Sequence, residues 1–248
     1  MERIRGQWLA SLEQEKKEPR SQALRVLPPI VYGKDHPYGI PFTGSGTEAS
    51  IKSLTPEDLK AFHREFLRPD NMRIVVVGDT DMSTIKAALE RSFGGWAKPA
   101  APLPKLALPD VAKPKAPRVF LIDKPNAEQS LIIAGHTLPP TKAPDNLETN
   151  TALTAFGGMF SARLNMNLRE DKHWAYGAYA GAGQALGQRL LSASAGVQSD
   201  KTIESMRELQ KEFVELVSTR EVTAEELVTV INNDVRSLPG SYETAGAV

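Results

Sequence analysis

Leu191-Ser192-Ala193-Ser194-Ala195-Gly196-Val197-Gln198 alternates apolar with small or polar residues at a period of two. That is the pattern of a strand with one face buried. Upstream, Tyr176 to Gly183 reads as a second strand, and Ser130 to Gly135 as a third. Downstream, Ile203, Met206, Leu209, Phe213 and Leu216 recur at helical spacing and predict an amphipathic helix. Thr223-Ala224-Glu225-Glu226 is a capping box that opens a last helix, ending near Leu238-Pro239-Gly240. Asp145-Asn146-Leu147-Glu148 resembles another, starting a long helix through Leu153, Phe156, Phe160, Leu164 and Leu168. Strand pairs separated by runs of helix indicate an α+β fold rather than a doubly wound sheet.

Before these elements lies a Pro-rich stretch, with Pro99, Pro102, Pro104, Pro109, Pro114 and Pro117. This spacing forbids regular helix and favours an extended, semi-rigid connection. Residues 97–117 are therefore expected to link two folded pieces, 1–96 and 118–248. The first piece reads as mostly helical with one strand. Ile4, Trp8 and Leu12 share a face of a charged helix closed by Pro19, and His36-Pro37-Tyr38-Gly39-Ile40-Pro41 is loop chemistry. Thr55-Pro56-Glu57-Asp58 starts a helix, with Thr at the cap and Pro at the first position. Arg73-Ile74-Val75-Val76-Val77-Gly78-Asp79 reads as a strand buried on both faces, followed by a helix over about 82–93 that Gly94-Gly95 stops. Val119-Phe120-Leu121-Ile122 reads as the first strand of the second piece.

The 248 residues carry 30 basic and 30 acidic side chains, and this balance argues against a nucleic-acid partner. No apolar run reaches the ~18–20 residues of a membrane span, and Met1-Glu2-Arg3-Ile4-Arg5-Gly6 does not open a signal peptide. With no Cys, disulfides, thiolate metal sites and cysteine nucleophiles are excluded, which suits cytosol and periplasm equally.

Chemical motifs are sparse. His36, His63, His136 and His173 lie far apart, with no helical His pair, so no metal ligands are assigned. Ser83-Thr84-Ile85-Lys86 matches S-x-x-K but lacks its companion motifs, and Asp81, Ser83 and Thr84 serve better as helix-cap residues. Val77-Gly78-Asp79 lacks the glycine pattern of a phosphate loop.

The most unusual stretch runs from Ala155 to Glu170. Gly157 and Gly158 sit inside a helical pattern, where each costs ~1 kcal/mol relative to Ala, and their plain role is close backbone approach. Arg169, late in the helix, and Tyr176, at the start of the next strand, flank Asp171-Lys172-His173-Trp174. An Arg fork and a phenol held near a strand can bind peptide carbonyls or a carboxylate; a capping Arg beside an edge-strand Tyr is the structural alternative.

In order along nearly the whole chain, His36-Pro37-Tyr38-Gly39, Leu54-Thr55-Pro56-Glu57-Asp58-Leu59, Arg68 to Asp79, Phe93-Gly94-Gly95-Trp96, Gln129-Ser130, Gly157-Gly158 to Glu170 and Tyr176-Gly177 resemble the insulinase/pitrilysin family of zinc peptidases. The resemblance implies α+β units, here two partial α/β sandwich units joined by the Pro-rich linker. It also implies two halves closing around a peptide. In a catalytic half, a HxxEH helix and a downstream Glu bind zinc, and the motif Glu activates water. HxxEH is absent here. The chain is accordingly expected to be a segment of the non-catalytic, substrate-holding half: the end of one unit, the linker and the start of the next. Alone it is expected to be inactive, with zinc bound outside it on a HxxEH-bearing half or partner subunit. Arg169 and Tyr176 match a substrate-holding pair, and Gly157 and Gly158 would pack near the peptide. A location in the periplasm or outside the cell is implied by analogy only. The alternative is a non-catalytic scaffold or assembly subunit of the same fold. A third option is a HxxEH in the preceding unit, with the third ligand among Glu2, Glu13 and Glu15.

Overall fold

Strand β3 (Arg189–Gln198) is the centre of a three-stranded antiparallel sheet, with β1 (Gln129–Leu138) on one side and β2 (Ala175–Ala182) on the other. The computed structural model describes residues 1–247. The period-two reading of β3 holds: Ala193, Ala195 and Val197 are buried, while Ser194 and Gly196 between them are half-buried. Ala178 and Ala180 of β2 face the same core, which Phe156, Leu164, Leu168 and Leu209 complete. Four alanines on the sheet face leave room for bulky side chains opposite, and the Phe156 and Phe213 rings meet at 4.7 Å between centroids. Leu209 and Phe213 come from α8 (Thr202–Leu216), which shows the expected apolar stripe.

The chain divides into two compact units. One comprises Met1–Leu12, Thr47–Ala107 and the stretch from Asp234; the other, Glu13–Gly46 and Leu108–Asn233, contains the sheet. The helices preceding the sheet are α1 (Glu2–Glu15), α2 (Pro19–Tyr32), α3 (Glu48–Ser53), α4 (Pro56–Phe66) and α5 (Met82–Phe93). The Thr55 start of α4 forms as read, with reciprocal Thr55 and Asp58 hydrogen bonds and Pro56 at the first position. Asp81 caps α5, and Gly94 follows its last residue. Helices α2 and α3 are additions to the sequence reading. The first helix already ends at Glu15, so Pro19 does not close it; Pro19 instead opens α2 behind the Glu18 cap, and Pro28 and Pro29 lie inside that helix.

Several expectations are corrected. Residues 73–79 form no strand; Ile74, Val75, Val76 and Val77 are exposed rather than buried on both faces. A β-branched run becomes a strand only beside a hydrogen-bonding neighbour, and among the described residues this segment has none. The same holds for Val119-Phe120-Leu121-Ile122, where Leu121 is 90% exposed. Asp145 stands at the start of α6 (Asn146–Leu153), but its side chain makes no capping bond. The long helix expected to continue to Leu168 is broken. A π-turn spans Thr154–Gly158, residues 159–162 leave the helix, a short α7 (Arg163–Asn165) follows, and a second π-turn covers Met166–Asp171. Finally, α9 (Ala224–Ser241) begins at the Thr223–Glu226 box as read.

Candidate functional site

The broken helix brings Arg169 and Tyr176 together. Its first break is set by Gly157: a Cβ there would stand 2.5 Å from the Ala180 backbone nitrogen and 2.7 Å from the Ala180 Cβ. Strand β2 therefore backs directly onto the first π-turn, and glycine is what permits it. Gly158 is different. Its added Cβ would meet only the Thr154 side chain at 3.4 Å, an ordinary contact.

Beyond the glycines, Asn165 fixes the geometry. Fully buried, it donates from Nδ2 to the Phe160 carbonyl at 2.7 Å and accepts the Ala178 N–H at Oδ1 at 3.2 Å. One side chain thus ties the broken segment to β2. Arg169 follows in the second π-turn. The Lys172 N–H donates to the Asn167 carbonyl at 3.1 Å, and His173, at φ 55°, turns the chain back toward β2. Trp174 N–H closes the reversal on the Leu168 carbonyl at 3.0 Å. Two residues later stands Tyr176, 84% exposed.

The Arg169 guanidinium carbon lies over two rings, 5.2 Å from the centre of Tyr176 and 4.5 Å from that of Phe160. Both are within cation–π range. Its Nε pairs with Glu170 Oε1 at 3.2 Å. Among the described residues, Nη1 and Nη2 donate no hydrogen bond. The site thus presents a forked cationic donor flanked by a phenol and a phenyl ring. That set suits a carboxylate or a peptide carbonyl.

A surface pocket of about 390 Å³ is bordered by Ser161, Met166, Asn167, Lys172, Glu208 and Glu212 among others, and not by Phe160, Arg169 or Tyr176. Its charges are largely matched within the protein. Arg163 is nearly buried and grips Glu226 through Nε and Nη2 at 2.5 Å each; it also donates to the Arg220 and Glu221 carbonyls. That hydrogen-bonded guanidinium pulls the Glu226 carboxyl down to about 2 despite the opposing cost of burial. Among the described residues, Asn167 Oδ1, Glu212 Oε2 and Ser205 Oγ are buried without a hydrogen-bond partner.

Three of the four histidines are occupied locally. His36 stacks on Tyr32 at 5.2 Å, accepts the Tyr38 N–H at Nδ1 and lies 3.0 Å from the Pro109 carbonyl through Nε2. Tyr32 itself donates to the Gln188 carbonyl, and burial, with Tyr38 adding to it, pushes its phenol up to about 12. His136 and His173 each place Nδ1 against a backbone carbonyl.

The sequence profile described as "Peptidase M16 inactive domain" matches residues 53–233. The chain belongs to this family. The insulinase/pitrilysin resemblance is thereby upheld, as is the assignment to the family's inactive, non-catalytic type of domain. A relative called an uncharacterized zinc protease of Mycobacterium tuberculosis is 27% identical over 177 residues, covering 70% of this chain and 39% of the relative. The zinc protease PqqE of Helicobacter pylori is 25% identical over 221 residues, 85% of this chain and 48% of the relative. The crystal structure of a peptidase M16 inactive domain from Pseudomonas fluorescens superposes with a TM-score of 0.84 at 26% identity, over 98% of this chain and 56% of that one. This M16 chain therefore spans about half the length, or less, of the curated relatives it matches.

Their names imply zinc, but the donors present do not fit a zinc site. Among the described residues no group of three or more His, Asp or Glu is placed to hold a metal ion. No described helix is long and apolar enough to cross a membrane.

Two residues of the site do not stand out in the sequence. Helical periodicity assigns Phe160 to the apolar face of a continuous helix, and nothing in the pattern marks Asn165. The usable signal is the Gly157-Gly158 pair followed by small Ser161 and Ala162, a run that favours interruption over propagation.

Proposed function

We propose that this chain is the substrate-holding, non-catalytic half of a zinc metalloendopeptidase, and that Arg169 and Tyr176 hold the peptide. The observation that carries the reading is the Arg169 guanidinium over the exposed Tyr176 ring, with terminal donors free to meet an incoming acceptor. Within this reading the zinc and the hydrolytic chemistry belong to a HxxEH-bearing half, on the same polypeptide or on a partner subunit. The residues of this chain bind and orient. Gly157 acts one layer behind, by letting β2 approach the turn that precedes Phe160. Gly158, which has room for a side chain, is not needed for that contact. The division into one partial unit over 1–96, a connection over 97–117 and a second partial unit over 118–248 belongs to the same proposal. So does an extracytoplasmic location.

The experiment is reconstitution. Purified alone, the chain is expected to retain no zinc by elemental analysis and to cleave no peptide. Adding the HxxEH-bearing half is expected to give zinc-dependent turnover that neither component shows alone. Turnover by the isolated chain, or full activity of the other half without it, would contradict the proposal. The second outcome would favour an assembly or scaffold role.

A further inference from the structure

Phe160 is a large apolar side chain that is 57% exposed, although a packed core lies beside it in Phe156 and Leu164. Its ring gives up the gain that burial would bring. Its backbone, in contrast, is anchored through the buried Asn165. The ring lies against a cation: the Arg169 guanidinium carbon is 4.5 Å from its centre, closer than to that of Tyr176. The choice of partner matters chemically. A carboxylate facing the fork would hold Arg169 but occupy its N–H donors. An aromatic ring attracts the delocalised charge through its π-face and leaves those donors available. Glu170 pairs with Nε, and among the described residues Nη1 and Nη2 donate no hydrogen bond.

We propose that Phe160 is a positioning residue for substrate binding: its ring pre-orients the Arg169 fork so that Nη1 and Nη2 meet a backbone carbonyl or a terminal carboxylate of the peptide. This rests on the peptide-holding reading of Arg169 given above. The role follows from the interrupted helix. Nine residues of continuous α-helix turn through about 100° each and would place Phe160 and Arg169 on opposite faces. The break at residues 159–162 and the π-turn carrying Arg169 remove that separation.

The test is a double-mutant cycle in the assembled enzyme, using an internally quenched peptide with an amidated C-terminus and its free-acid twin. Phe160→Leu is expected to lower kcat/KM about fivefold, mainly through KM, the scale of one cation–π contact. Phe160→Tyr should restore it. In an Arg169→Ala background, Phe160→Leu should add nothing. Equal effects on both peptides assign the acceptor as a backbone carbonyl; an effect confined to the free acid assigns the terminal carboxylate. If Arg169→Ala lowers kcat/KM but Phe160→Leu does not, the positioning role is wrong while the peptide-holding reading stands. The positioning role is equally excluded if the two losses simply multiply. If Arg169→Ala itself is silent, the underlying reading fails and this proposal with it.

Discussion

The guanidinium carbon of Arg169 stands 4.5 Å from the ring centre of Phe160, two side chains that an unbroken helix would hold on opposite faces. The site exists because the helix fails between them. Its failure is built in at Gly157, where β2 comes too close for a Cβ, and at Asn165, which bonds the Phe160 carbonyl to one side and the Ala178 N–H to the other.

Replacing Gly157 with Ala is therefore expected to destabilise the chain by about 1–3 kcal/mol, because the clash is with backbone and cannot be relieved by a rotamer change. Gly158→Ala provides the contrast. Its added methyl meets only the Thr154 side chain at ordinary distance, so its stability should stay within about 0.5 kcal/mol of the parent. Urea unfolding midpoints compare the two variants directly; equal midpoints would contradict the packing account.

Asn165→Ala is expected to cost about 1–3 kcal/mol, since it leaves the N–H of fully buried Ala178 without an acceptor. The same change frees the Phe160 carbonyl. Amide hydrogen exchange should then speed up at Ala178 and along residues 159–162, ahead of global unfolding. Unaltered exchange there would show that Asn165 does not hold the break.

Much of the second unit is legible from the chain alone. β3 follows from strict alternation at Ala193, Ala195 and Val197, and α8 from the spacing of Leu209, Phe213 and Leu216, since both periods report a single buried face. The Thr55 and Thr223 starts are readable because capping is local chemistry. What cannot be read is anything decided by a distant neighbour. The apolar runs at Ile74–Val77 and Val119–Ile122 carry the composition of strands, but composition does not supply a partner. The interruption after Gly158 is hidden because Phe156, Phe160, Leu164 and Leu168 keep a helical period through it. Arg169 and Tyr176 are identified by resemblance. Their proximity, and the part played by Phe160, arise only in the folded chain.

The Arg163–Glu226 pair gives a pH signature. Glu226 is held near 2 against an ordinary 4.5, chiefly by its hydrogen bonds from Arg163, so its carboxylate is favoured in the folded state. A depressed folded value means the contribution is fully present above the unfolded value. It is lost as pH falls from about 4.5 through about 2. The stability difference between the parent and Glu226→Gln should shrink across that window in chemical denaturation. A difference that does not change with pH would show that the pair does not act through ionisation.

The most direct test of the central claim is the kcat/KM of Arg169→Ala in the assembled peptidase, with zinc content measured on the same samples. The account expects a loss of roughly 10–100-fold, the scale of a charge-assisted hydrogen bond to substrate, with zinc stoichiometry unchanged. Unchanged kinetics would contradict a peptide-holding role for this chain. A loss of activity that tracks a loss of zinc would place Arg169 in the stability of the assembly instead.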